Sequence, residues 1–363
     1  MNLNKKDVFM SSLKKSEYSF SELSSQRLII TGIAALWIVF FHAYKLDFSA
    51  FTNLSVVGKV LCAAFAAIKP AGNVGVEMFL ICSGLGLYYS FSKNSNVLSF
   101  YKKRAIRILP ALLIVSSLYY AFKGLGIKEY LMSVFLVDYY TKGNSRFWYF
   151  ALIVLLYLFY PVIHKIVERS KDITVMCLIV LLIAAGFIIT YVIKADLDTR
   201  YYALLRVPSF IIGVWLGKKS LQKSQINFFW VFVCAAVSVV CFVVVTAMHM
   251  EILPMEFVNS KYIYYFINIP FSVSFSIVIS AVFSRTKLRF TKAVIGFFGV
   301  FSLELYLIFE RVTEACENVL IFNDATYITY YIATFFVTVV LSVLLQNVCS
   351  KITSVFTKEY KKF

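Results

Sequence analysis

A chain of 363 residues is long enough for two or three soluble domains, but 60% apolar and 18% aromatic residues against 15% charged lie outside the soluble range. Only six prolines and fourteen glycines in so apolar a chain exclude collagen-like and disordered architectures and leave an all-α polytopic membrane protein. The excess of 36 Lys and Arg over 19 Asp and Glu would suggest nucleic acid in a soluble chain; here it belongs to loops against membrane lipid, and no nucleic-acid partner is expected.

A polar, basic segment, 1–27, precedes the first apolar run and has no cleavable leader, so that run is expected to act as a signal anchor. Ten apolar segments then approach the roughly 20 residues that a bilayer crossing needs. They are 28–44, 74–91, 108–122, 147–163, 173–193, 201–217, 228–248, 262–283, 293–309 and 327–348. The third is short and is expected to borrow flanking residues. Segments 55–68 and 129–140, interrupted by Lys59 and Asp138, read as interfacial or re-entrant. About ten transmembrane helices return the chain to the side from which it started, giving a membrane domain, 28–349, and a basic tail, 350–363. Segments 1–27, 92–107, 164–172, 218–227, 284–292 and 349–363 hold two-thirds of the Lys and Arg, which makes both termini cytoplasmic.

Loops on both faces are short, so any chemistry belongs within the membrane or at its rim. The seven cysteines are an odd number without CxxC spacing and read as small core residues, with no disulfide framework and no metal site. No internal repeat of the kind that marks many transporters is visible.

A titratable side chain within a span costs roughly 2.5–3.5 kcal/mol, which makes each one a functional candidate. His42 falls near the outer end of the first span and Glu77 three residues into the second, at nearly the same depth for a rise of about 1.5 Å per residue. The two are expected to meet, the carboxylate orienting the imidazole as a general base, unless both are simply interfacial residues. His164 and His249 lie at span ends and read as boundary residues. Glu304, in the middle of the ninth span, must face a partner helix or a wet cavity; Glu310, at that span's outer end, reads as a structural hydrogen-bond partner. In the loop Tyr101-Lys102-Lys103-Arg104-Ala105-Ile106-Arg107-Ile108-Leu109-Pro110, Arg104 and Arg107 share a helix face. With Lys103 they form either a multidentate phosphate clamp or a lipid anchor.

Several segments together resemble the acyltransferase-3 family of bacterial integral membrane acyltransferases. Gly32 to His42 looks like the end of a first-span motif in which a basic residue precedes an essential histidine by eleven positions. Gly75-Val76-Glu77, with Ser83-Gly84 beyond it, is similar to the family's glycine, valine, acidic residue and later Ser-Gly stretch. Arg104-Ala105-Ile106-Arg107 matches its Arg-x-x-Arg motif. Arg146-Phe147-Trp148-Tyr149-Phe150 through Pro161, Arg206-Val207-Pro208 through Gly213, and Ser302 to Leu307 continue the likeness in order, over about residues 27 to 349. The chain departs from the pattern at Thr31, where the basic residue is expected, and at Phe309-Glu310, where the family often has a histidine. The nearest arginine, Arg27, is fifteen residues from His42, about 22 Å along a helix, which suits an entrance rather than direct contact.

The resemblance implies a multi-pass protein of the bacterial cytoplasmic membrane that carries an acyl group, usually acetyl, from cytoplasmic acyl-CoA to a hydroxyl of an extracytoplasmic or lipid-linked glycan. It implies no permanently bound cofactor, acetyl-CoA being the donor substrate. His42 would be the base and Glu77 its orienting partner. Arg104, Arg107, Lys103 and Arg27 would hold the coenzyme A phosphates, and Trp148, Tyr149, Arg206 and Glu304 the substrate. Trp148, Tyr149 and Ser83 are equal candidates for an oxyanion donor. Two other readings stay open on the sequence: a transporter or flippase of a glycan or acyl intermediate, and an inactive scaffold of a polysaccharide assembly complex.

Overall fold

The computed structural model describes residues 17–43, 55–143, 147–192, 199–250, 252–253, 261–317 and 324–360. The basic residues of segment 1–16, Arg146 of the Arg-Phe-Trp motif and residues 361–363 of the basic tail lie outside these described residues.

A short strand, β1 (Glu17–Ser19), and helix α1 (Phe20–Ser25) lead into α2 (Arg27–Phe41). Ser19 and Glu22 cap α1 reciprocally. Helix α3 (Val56–Ile68) passes through a tight turn at Pro70–Asn73 into α4 (Val74–Lys93), followed by α5 (Val97–Phe122), α6 (Ile127–Val134), α7 (Val137–Lys142), α8 (Trp148–Arg169) and α9 (Asp172–Phe187). After α10 (Thr199–Leu204) and α11 (Val207–Leu221), strand β2 (Gln225–Asn227) pairs antiparallel with β1, Tyr18 opposite Ile226. Helices α12 (Phe229–His249), α13 (Lys261–Arg285), α14 (Arg289–Val300), α15 (Ser302–Glu317) and α16 (Asp324–Tyr360) complete the order.

Among the described residues, seven helices are long and apolar enough to cross a membrane, or eight if the bent pair α14 and α15 counts as one span. The expected ten divide accordingly. Seven of the expected segments fall on these long helices, 108–122 having borrowed its flanks to become 26 residues. Segment 293–309 is broken by a 69° bend. Segments 28–44 and 201–217 are carried by helices of 15 residues, α2 and α11, each about 22 Å long against a hydrocarbon core of about 30 Å. In the second case Pro208 sits in the first turn of α11, where its missing N–H cannot bond the Leu204 carbonyl at the end of α10, and the two helices part at Leu205–Arg206. Segment 55–68 forms α3, which buries none of its residues, and 129–140 falls on the two short helices α6 and α7.

Lipid removes the usual reason to hide apolar side chains, so the bundle packs on small and polar ones. In α16, Thr334, Thr338 and Ser342 recur every four residues on the buried face, while Phe336, Val340 and Leu344 are exposed on the other. Helices α4 and α11 approach through Gly84 and Gly213: a Cβ at 84 would strike the Phe210 carbonyl, and one at 213 the Ile81 carbonyl. Glycine is required there for the backbones to touch.

Five of the basic segments meet at one end of the bundle. β1 pairs with β2, Arg285 binds Glu22 and the Glu17 carbonyl, Lys219 binds Asp172 at 2.5 Å, and Ser92 binds His164 at 3.3 Å. Lys218 donates to the Val167, Glu168 and Ser170 carbonyls at 2.9–3.0 Å, satisfying the end of α8.

Candidate active site

Helix α2 runs the length of the site. Arg27 is its first residue, at the basic end, and His42 caps its other end. Residues 27, 31 and 38 recur at helical spacing and line one side of a cavity of about 400 Å³ that opens among α2, α4, α5, α8 and α15. Its walls include Arg27, Thr31, Cys82, Ser83, Gly86, Arg104, Arg107, Tyr149, Tyr157, Ser302 and Tyr306.

Three arginines therefore converge on this inner cavity, but they are not equivalent. Arg107 Nη1 donates to Glu304 Oε1 at 2.7 Å and to Gln346 Oε1 at 3.3 Å. Glu304 is fully buried, and a carboxylate without water needs such a counter-charge. Arg27 and Arg104 have no carboxylate partner among the described residues. Arg27 lies against Gly86, where any side chain would collide with its guanidinium. Arg104 stands over the Phe100 ring at 5.7 Å, and its buried Nε makes no hydrogen bond. Arg27 is one turn below Thr31, whose hydroxyl bonds the Arg27 carbonyl at 3.0 Å, so it brings a guanidinium to the face where a basic residue was missing.

A second cavity of about 240 Å³ lies beyond the inner one. Its lining includes Ile38, His42, Asn73, Val76, Trp148, Tyr202, Arg206, Tyr265 and Tyr306. Ile38, Val76 and Tyr306 also line the inner cavity and form the partition between the two. Beside it a void of about 10 Å³ is enclosed by Ala35, Ile38, Val39 and His42 from α2, Phe79 from α4, and Ser302, Tyr306, Phe309 and Glu310 from α15. The first four stand at positions i, i+3, i+4 and i+7, and Ser302, Tyr306 and Glu310 at i, i+4 and i+8, so two helix faces close on each other here.

Across that void, His42 Nε2 is 3.4 Å from Glu310 Oε1, and Glu310 Oε2 is 3.7 Å from Arg311. The carboxylate beside the imidazole is thus Glu310, which the sequence reading treated as structural, and not Glu77. Glu77 is turned the other way, onto Arg206 at 2.6 Å, with both side chains nearly inaccessible. Equal depth places two residues at one level and leaves their azimuth open; Glu77 takes the counter-ion that starts α11.

Arg206 also donates to Asn73 Oδ1 at 3.1 Å and sits over the rings of Trp148 (5.0 Å) and Tyr265 (4.7 Å). Its charge organises an aromatic wall in the outer cavity. Trp148 and Tyr149, consecutive on α8, face different spaces, Trp148 the outer cavity and Tyr149 the inner. Two further expected residues lie off the cavity walls. Glu304 lies behind Arg107, whose guanidinium it holds, and is not among the residues that line the cavity. Lys103 is exposed and off the cavity, because neighbouring helix positions do not share a face. Asn73, Tyr202, Tyr265, Tyr306 and Glu310 were not singled out as site residues from sequence; only the four-residue spacing of 302, 306 and 310 signals any of them.

The chain matches a family model described as an acyltransferase domain, Acyl_transf_3, over residues 30–346. No curated protein and no solved structure matches it.

Proposed function

Since this chain belongs to the acyltransferase-3 family and is a membrane acyltransferase, we propose that it transfers an acyl group, acetyl in the first instance, from cytoplasmic acyl-CoA to a hydroxyl of an extracytoplasmic or lipid-linked glycan. One observation carries the reading: two arginines without carboxylate partners among the described residues face a cavity whose far wall is also the wall of the chamber holding His42.

Arg27 and Arg104 supply planar, multidentate donors to the coenzyme A phosphates, and Arg107, fixed by Glu304, adds charge at the same mouth. From Arg27 to His42 the helix runs about 22 Å, a distance suited to an extended pantetheine arm bringing its thioester up to Ile38 and Tyr306. The acceptor enters the outer cavity, where Trp148, Tyr202 and Tyr265 offer flat faces to a sugar and Asn73 a polar edge. His42, its ring oriented by Glu310, takes the proton of the attacking hydroxyl. The reading also makes the basic end cytoplasmic and the membrane the bacterial inner one.

The test is mass spectrometry of surface glycans from cells carrying wild-type protein or His42→Ala at equal membrane levels. Loss of the added acyl group in the variant is expected. A glycan acylated equally in both strains refutes the reading.

A further inference from the structure

Of the residues around the three cavities, only Ile38 and Tyr306 line all of them, and only Tyr306 is polar. Its phenol oxygen is buried and has no hydrogen-bond partner among the described residues. Its ring is held edge-on by Tyr149 at 5.3 Å. Buried hydroxyls in folded proteins nearly always find a partner. Here the space that the side chain borders is the space between the inner arginines and the imidazole. One turn further along α15, Glu310 holds His42.

We propose that Tyr306 is a catalytic residue, donating its hydroxyl hydrogen bond to the thioester carbonyl oxygen and to the oxyanion that forms from it. The assignment rests on the acyl-transfer reading above. As the acceptor oxygen bonds the carbonyl carbon, its proton passes to His42 and the carbonyl electron pair moves onto oxygen, where the phenol O–H meets it. Collapse restores the carbonyl and breaks the carbon–sulfur bond, and the imidazolium returns the proton to the departing thiolate. Tyr306 keeps its own proton throughout. The other candidates are less well placed: Ser83 shares its hydroxyl with Tyr157 at 3.5 Å, Tyr149 lines the inner cavity without the outer, and Trp148 the outer without the inner.

The test compares full-length wild type and Tyr306→Phe in nanodiscs, with acetyl-CoA as donor and a lipid-linked glycan extract from cells lacking the protein as acceptor. A donor used mainly in the transition state predicts kcat lower by about 10²- to 10³-fold with KM for acetyl-CoA within about twofold of wild type. Thermal unfolding of the variant should occur at the wild-type temperature or above, since the removed hydroxyl bonds none of the described residues. A hydroxyl needed only for packing would instead lower the unfolding temperature and spare kcat. Fluorotyrosine at position 306 provides a second readout that keeps the ring's shape: altered phenol acidity should change kcat and leave KM alone. Wild type that transfers with Tyr306→Phe or the fluorotyrosine protein equally fast overturns the assignment alone. Wild type that makes no acylated product overturns the acyl-transfer reading and the assignment with it.

Discussion

Breaking the Glu77–Arg206 pair should destabilise the protein strongly, and breaking both halves together should restore much of the loss. The partners lie 2.6 Å apart with side chains 1% and 3% exposed. At an effective dielectric of about 20, charges at that separation attract by about 6 kcal/mol, against a desolvation penalty of several kcal/mol per ion, so the pair as a whole contributes little net stability. Removing one charge is different, because the other stays buried without compensation, and the expected cost is about 3–5 kcal/mol. Arg206→Met and Glu77→Gln should each lower the detergent-solubilised unfolding temperature well below wild type. The double variant should lie above the sum of the two losses, a positive coupling in a double-mutant cycle. Recovery will be incomplete, since Arg206 also bonds Asn73 and covers the Trp148 and Tyr265 rings. The assay is fluorescence-detected thermal unfolding read at one heating rate, because membrane proteins unfold irreversibly. Single variants that melt with the wild type, or losses that simply add, would refute the claim that Glu77 is a structural counter-ion.

Two more predictions separate the roles within the site. Glu310→Gln should lower kcat by about 10²- to 10⁴-fold, the range for general-base catalysis and its orienting carboxylate, with little change in unfolding temperature; steady-state kinetics would show it. Arg27→Ala and Arg104→Ala should each raise KM for acetyl-CoA by about 10- to 100-fold, for charge-assisted bonds worth about 1.5–3 kcal/mol. Lys103→Ala, an exposed residue off the cavity wall, should leave KM within about twofold.

Run length and composition made the membrane class legible, because a bilayer imposes a minimum helix length and forbids irregular backbone in lipid. The same signal did not show where an apolar run is carried by a 15-residue helix or broken by a bend at Phe301, since hydropathy cannot see where helical bonding stops. His42 stood out because an ionisable group in apolar surroundings is costly, and Arg104 and Arg107 because their spacing puts them on one helix face. Their partners did not. Glu77 meets Arg206 across 129 positions and Arg107 meets Glu304 across 197, contacts made by tertiary packing alone. Local periodicity did hold one recoverable clue, since Ser302, Tyr306 and Glu310 share a face that Glu304, two residues off that register, turns away from. Helix rise kept Arg27 away from His42, and Arg27 lines the inner cavity.

The central claim is that donor and acceptor reach one imidazole from opposite faces of the membrane. Sealed proteoliposomes with the protein in a single orientation test it, given acetyl-CoA on the arginine side and glycan acceptor on the His42 side. Acylated acceptor should form with that arrangement and should vanish when acetyl-CoA is confined to the His42 side. Equal product from acetyl-CoA on either side would contradict the claim.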